Sequence, residues 1–279
     1  MDLKTLELQF LELGFAVVPG AIAADELAEC ADAFDSLITK AEDLGSLGLV
    51  RVRKSNRVGI EGRGWSWGCD HIFQPLLYDQ RLLDLVGRSP FPELLELILG
   101  PEIRFCGGHG HWSPTTYDYY LHWHRDTRRE RWSFGNPDPR CHVQLCLALR
   151  EEAVVRLVPG SHLRDLVDSE APLVTSQPHG AQPQEVTPVI PAGSALLLNT
   201  YTLHRAQCSR TPSRRALHFG FTRVGAAPEP GRSGHRQPWL ADPGFLAAQT
   251  PFLRPAIQAQ LSFEEANGGT RLGAHLGHL

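Results

Sequence analysis

The feature that most constrains this chain is a series of short segments between residues 103 and 224, each cut off by a cluster of turn residues. Ile103–Gly107, Tyr117–Asp126, Cys141–Leu149, Val154–Val158, Glu185–Val189, Ala195–Tyr201 and Ala216–Val224 have the length and punctuation of strands. Asn136-Pro137-Asp138-Pro139, Pro159-Gly160-Ser161 and Pro191-Ala192-Gly193 supply the breaks. Strands so spaced cannot bury themselves singly. They predict a jelly-roll core with helices packed on one sheet, a mainly β fold with flanking helices.

The flanking helices are legible too. Leu3, Leu6, Phe10 and Leu13 recur at helical spacing until Gly14 stops them. Phe15–Gly20 reads as a short strand closed by a turn. Leu27, Cys30, Ala31, Phe34, Leu37 and Ile38 mark a second helix, with Asp25 and Glu26 at its positive end. Pro92 starts and Gly100-Pro101 ends a third over residues 91–99. A further helix is expected near Pro255–Leu261 in a tail rich in Pro and Gly. With no repeat or linker, residues 1–279 read as one domain: 1–100 mostly helical, 102–224 the β core, and 225–279 a C-terminal extension.

Composition narrows the function classes. Hydrophobic residues at 42% and charged residues at 21% suit a folded soluble domain. A net charge of -4 argues against a nucleic-acid binder held by bulk electrostatics. No apolar run is long enough for a membrane span, and the N-terminus carries no secretory pattern. The six cysteines form no CxxC pair and read as reduced thiols of a cytoplasmic protein.

The chemistry concentrates at His124-Arg125-Asp126. Residues two apart on a strand share a face, so the imidazole and the carboxylate can meet one metal ion. Two histidines and one carboxylate on one side of an octahedron leave three positions open. His204, at the end of the strand that follows Pro191-Ala192-Gly193, supplies the second histidine. Eleven residues on, Arg215 opens the next strand, where it can grip a carboxylate bidentately. Arg214 would face the opposite side, so only one of the two can do so.

These residues resemble the phytanoyl-CoA dioxygenase family. The likeness rests on His124-Arg125-Asp126, Leu157-Val158-Pro159-Gly160-Ser161-His162, Gly193, His204 and Arg215, with Gly14–Gly20 and Leu99-Gly100-Pro101 similar as well. It implies a double-stranded β-helix (cupin-like) core, Fe(II), O2 and 2-oxoglutarate as co-substrate, and release of succinate and CO2. It implies His124, Asp126 and His204 as metal ligands and Arg215 as the holder of the distal carboxylate. One departure stands out. The family often has an Asn-Gly pair before the Pro-Gly-Ser-His turn, where this chain has Arg150-Glu151-Glu152-Ala153-Val154-Val155. Asp126 is intact, whereas related halogenases lack that carboxylate, so the expectation is hydroxylation of a small molecule.

Other positions are expected to serve the same site. Asn199, Gln144 and Cys146 are candidate co-substrate contacts. His109, His111, Tyr117, His122 and Arg128 are candidate substrate contacts, with Trp112 on the same approach. His162 reads as a structural turn cap. The basic residues Arg51, Arg53, Lys54, Arg57, Arg63, Arg128, Arg129 and Arg131 lean toward an anionic substrate, and Trp65 and Trp67 toward a lid. Two rival readings stay open: a non-catalytic 2-oxoglutarate- or metal-binding protein, and a cupin-type metalloenzyme that ignores 2-oxoglutarate.

Overall fold

A computed structural model describes residues 2–53, 67–113, 118–126, 138, 140–175, 180–209, 214–226, 235–266 and 270–271. The elements run α1 (Leu3–Leu13), β1 (Phe15–Val18), α2 (Ala24–Ser46), β2 (Val52–Arg53), β3 (Gly68–Asp70), α3 (Gln80–Asp84), α4 (Phe91–Leu99), β4 (Ile103–Trp112), β5 (Tyr119–Tyr120), β6 (His142–Ala148) and β7 (Val155–Leu157). They continue through α5 (Ala171–Thr175), β8 (Ser194–Asn199), β9 (His204–Cys208), β10 (Arg215–Arg223), β11 (His235–Arg236), α6 (Pro243–Ala247), α7 (Leu253–Ala266) and β12 (Thr270–Arg271). No helix among them is long and apolar enough to cross a membrane.

The strands form the expected jelly roll of mainly antiparallel sheet with flanking helices. A seven-stranded sheet has the order β1-β8-β6-β10-β4-β3-β2, and a three-stranded sheet has the order β5-β9-β7. Neighbours in both are antiparallel. A short parallel pair, β11 with β12, stands apart.

Side-chain alternation decides what each face of the large sheet touches. On β10, Leu217, Phe219 and Phe221 join Leu145 and Leu147 of β6 and Leu197 of β8 in the main core, with Leu6, Phe10, Phe34, Leu94, Leu95, Ile98 and Ile257 from the helices. Each such side chain contributes about 1.5–3 kcal/mol through the apolar area it removes from water. Gly110 on β4 permits this close packing: a Cβ there would lie 2.8 Å from the Phe34 ring. The opposite face looks toward the small sheet. Cys146, Ala148, Leu196 and Leu198 meet Val155 and Leu157 across that gap in a second apolar cluster. Near the far end of β4 a register shift between Gly220 and Phe221 lets Phe105 and Phe221 both face the helices.

Three strand expectations change. β4 extends to Trp112, well beyond Gly107, because its glycines alternate with His109 and His111 and leave the helix-facing side free for Phe34 and Phe73. Glu185–Val189 forms no strand: only Val186 and Ile190 make isolated bridges, to Leu157 and Glu152. Pro188 and Pro191, lacking N–H donors, break the ladder there. Tyr117–Asp126 shortens to Tyr119–Tyr120, followed by a single bridge at His124.

Candidate metal centre and the chamber around it

His124 and His204 are brought together by the backbone. Each donates its N–H to the other's carbonyl at 2.9 Å. In an antiparallel pair that exchanges both bonds, the two side chains leave on the same face. Their ring centroids are accordingly 4.3 Å apart. Asp126 completes the group: its Oδ1 lies 3.5 Å from Nε2 of His124 and 3.9 Å from Nε2 of His204. One ligand atom from each residue falls within 4.8 Å of the others, the arrangement a single ion needs.

The rings are also held in the right tautomer. Nδ1 of His124 is 2.8 Å from the carbonyl of His122, and Nδ1 of His204 is 2.9 Å from that of Thr202. A proton on each Nδ1, donated to those carbonyls, leaves both Nε2 lone pairs aimed at the common point. Burial, reinforced by the neighbouring His124 imidazole, pushes His204 down to about 4, so it is neutral at pH 7. Two neutral imidazoles and a carboxylate suit a divalent first-row metal, iron(II) among them.

Strand register lays out the chamber. His109 of β4 sits opposite His218 of β10, which sits opposite Cys146 of β6, which sits opposite Leu196 of β8. Asp70 of β3 extends the row beyond His109, its Oδ1 3.0 Å from Nδ1 of that ring. An adjacent row holds His111 and Ala216, and the His111 ring lies 4.2 Å from that of His218. Gln144 lies in the next row, opposite Gly220. The structure thus brings Gln144, Cys146, His109 and His111 to the chamber face. The Cys146 thiol is raised by burial and then by Glu152, and it also feels Arg214 and Asp126. Cys146 therefore lies within electrostatic reach of both the metal triad and the ion pair described next.

Two expected co-substrate contacts lie on the other face of the sheet. Arg215 shares the parity of Leu217 and Phe219, and its guanidinium turns outward to an ion pair with Asp35 of α2. Asn199 pairs with Val143 on the helix-packed face; its side chain accepts the N–H of Tyr201 at 3.0 Å and shapes the turn before His204. The residue facing inward is Arg214. Its Nε donates to Glu152 Oε2 at 2.6 Å, its Nη2 lies 3.4 Å from Oε1, and Nη2 is also 3.2 Å from His218 Nε2. The Arg214 and Glu152 side chains are only 2% and 4% exposed. A signal for this was available: the large apolar residues of β10 mark its helix-packed face, and Arg215 is in step with them.

Other expectations sort plainly. His122 contributes its carbonyl to His124, and its ring lies 5.1 Å from that of His124. His162 is buried, with Nε2 3.0 Å from the carbonyl of Leu11. Trp67 and Trp112 are buried in the main core, so Trp67 is no part of a lid. Arg51 lies 3.8 Å from Asp70, which answers one charge of the basic set. Tyr117, Arg128, Lys54, Arg57, Arg63, Trp65, Arg129 and Arg131 lie outside the described residues, as does the side chain of Arg53.

Comparison with known proteins agrees with this architecture. Residues 113–217 match the model of the phytanoyl-CoA dioxygenase family. No curated protein gives a match. Among solved structures, AviO1 from Streptomyces viridochromogenes Tue57 superposes with a TM-score of 0.60 at 18% identity, over 82% of this chain and 98% of that one. EctD from S. alaskensis, with 2-oxoglutarate and 5-hydroxyectoine, gives 0.59 at 19% identity over 81% and 77%. The epimerase SnoN, in complex with Fe3+, alpha ketoglutarate and nogalamycin RO, gives 0.56 at 18% over 82% and 86%. At such identities the likeness is one of fold.

Proposed function

We propose, on the premise that residues 113–217 form a phytanoyl-CoA dioxygenase-type core, that this chain is an Fe(II)- and 2-oxoglutarate-dependent oxygenase that hydroxylates a small molecule and releases succinate and CO2. The observation that carries the reading is the convergence of His124, Asp126 and His204 with both Nε2 lone pairs directed inward. The same reading treats residues 1–279 as one catalytic domain.

In this reading His124, Asp126 and His204 would hold the ion through two imidazole nitrogens and a carboxylate oxygen. When bound, the metal supplies the oxidative chemistry on dioxygen and keto acid. The chain positions the reactants. Arg214, the inward guanidinium, takes the co-substrate role first expected of Arg215. Cys146 lies within reach of both Arg214 and Asp126, and Gln144 lines the same face one row further along β6. His109 of β4, oriented by Asp70 and with a side chain 37% exposed, is the chamber-face residue assigned to substrate contact. The apolar cluster of Leu157, Leu196 and Leu198 keeps water from the chamber wall.

Anaerobic titration of the full chain with Fe(II) and 2-oxoglutarate tests this directly. A visible absorbance band that needs both, followed by succinate on admitting air, supports it. Metal binding with neither band nor succinate defeats it. That outcome would favour a metalloenzyme without a keto-diacid, a reading for which one observation speaks: Arg214 already has a carboxylate partner. SnoN is an epimerase and SnoK a carbocyclase, so this fold hosts outcomes besides hydroxylation in other proteins. Product analysis decides which applies here.

A further inference from the structure

A chain-borne carboxylate already occupies the guanidinium that the proposed function assigns to the co-substrate. Glu152 meets Arg214 at two points, 2.6 Å and 3.4 Å, with both side chains almost wholly buried. Neither backbone is free to retreat. Glu152 exchanges both main-chain hydrogen bonds with Ile190, at 3.0 Å and 2.8 Å. Arg214 is fixed through the Ser113 hydroxyl and through its own carbonyl, which accepts the Ser113 N–H at 3.2 Å. Rotation of the Glu152 side chain would free Nε and Nη2 of Arg214 for a second carboxylate.

We propose that Glu152 is the specificity-determining residue of the co-substrate site: it competes with the far carboxylate of a keto-diacid for Arg214, so that a 2-oxo acid ending in an amide is received as well as the diacid. The inference rests on the proposed function, since it concerns the same site. Its physical basis is charge and hydrogen-bond complementarity. Arg214 and Glu152 cancel, so a divalent ion on Asp126 leaves a single positive charge among these groups. The 2-oxo carboxylate neutralises it, and a second carboxylate then enters against the charge of Glu152 in a buried space. An amide adds no charge. Its oxygen can accept from Arg214 while its NH2 donates to Glu152, which satisfies both members of the pair. His218 adds no negative charge: Nε2 accepts from Arg214 Nη2 in the neutral ring. The Cys146 thiol, raised by burial and by Glu152, stays protonated between this pair and the triad.

The test measures binding to the full chain loaded anaerobically with Mn(II), by calorimetry. The probes are 2-oxoglutarate and 2-oxoglutaramate, the same keto acid with an amide at its far end. The wild-type chain should bind the two within about threefold of each other. A larger preference for the diacid overturns the proposal. Glu152→Gln should tighten 2-oxoglutarate by about tenfold or more, with the amide changed much less; unchanged diacid affinity overturns the proposal. If that variant does not fold, the wild-type comparison decides alone. Binding of neither acid while Mn(II) still binds overturns the proposed function itself, an outcome distinct from equal binding of the diacid by wild type and variant.

Discussion

Arg214 and Arg215 are sequence neighbours whose guanidinium groups serve opposite sides of one sheet: Arg214 pairs with Glu152 inside the barrel, and Arg215 with Asp35 outside it. The two ion pairs differ in kind as well as place. The inner one is desolvated at both ends, while the Asp35 carboxylate is 41% exposed.

Arginine replacement should separate the two. Arg214→Ala leaves Glu152 buried without its cation and should cost about 3–5 kcal/mol of stability by denaturant unfolding. It should also abolish measurable 2-oxoglutarate binding. Arg215→Ala removes a partly exposed pair, worth about 0–1 kcal/mol, and should leave co-substrate affinity as it was. The reverse ranking would return the co-substrate role to Arg215.

Alanine at His124, Asp126 or His204 should weaken Fe(II) or Mn(II) binding on the order of a hundredfold or more, with circular dichroism unchanged. Succinate formation should disappear in all three variants. A variant that keeps both the metal and turnover would remove its residue from the ligand set.

The buried His204 imidazole gives the metal-free protein a pH signature. Its native value near 4 lies below the ordinary 6.5, so the unfolded state binds the proton first as pH falls. Stability is therefore fully present above about pH 6.5 and is lost as pH falls through the window to about 4, up to about 3 kcal/mol in all. Urea midpoints across that window should fall less steeply for His204→Gln. Parallel curves for the two proteins would show that the residue does not titrate as described.

Gly14 ends α1 with φ at 83°, directly beneath the turn that carries His204. A Cβ there would sit 2.3 Å from Thr202 Oγ1 and 2.6 Å from His162 Nδ1. The Thr202 hydroxyl donates to the Gly14 carbonyl at 3.0 Å, and the Thr202 carbonyl in turn holds His204 Nδ1. Gly14→Ala should lower stability by about 1–3 kcal/mol. It should weaken metal binding as well, although it is remote from the ion in sequence. A loss of stability with unaltered metal affinity would cut this link.

The triad was legible from the HxD spacing of His124 and Asp126 and from a histidine shortly after an apolar strand, although the structure gives His124 only a single bridge and makes His204 the first residue of β9. The inward arginine was not legible by counting from His204, since the residues between Cys208 and Arg214 set the phase of β10 and sequence spacing does not fix it. Alternation of Leu217, Phe219 and Phe221 carried that phase more reliably. Glu152 was visible as a departure before the Pro-Gly-Ser-His turn, but its meaning depends on a residue far along the chain. Asn199 sits on the helix-packed face because of its strand phase, and its side chain serves the turn that follows. Helices over 3–13 and 91–99 followed their apolar periodicity, whereas α7 begins and ends beyond Pro255–Leu261.

The bridge between His124 and His204 joins a short segment after β5 to the first residue of β9 through one reciprocal pair of hydrogen bonds. An ion seated on both rings would fasten that seam from the side-chain end as well. Because binding favours whichever state holds the ligand, metal supply would then set how often this segment peels away and meets a protease. The lifetime of the protein in a cell, and not its turnover rate alone, would follow the availability of iron.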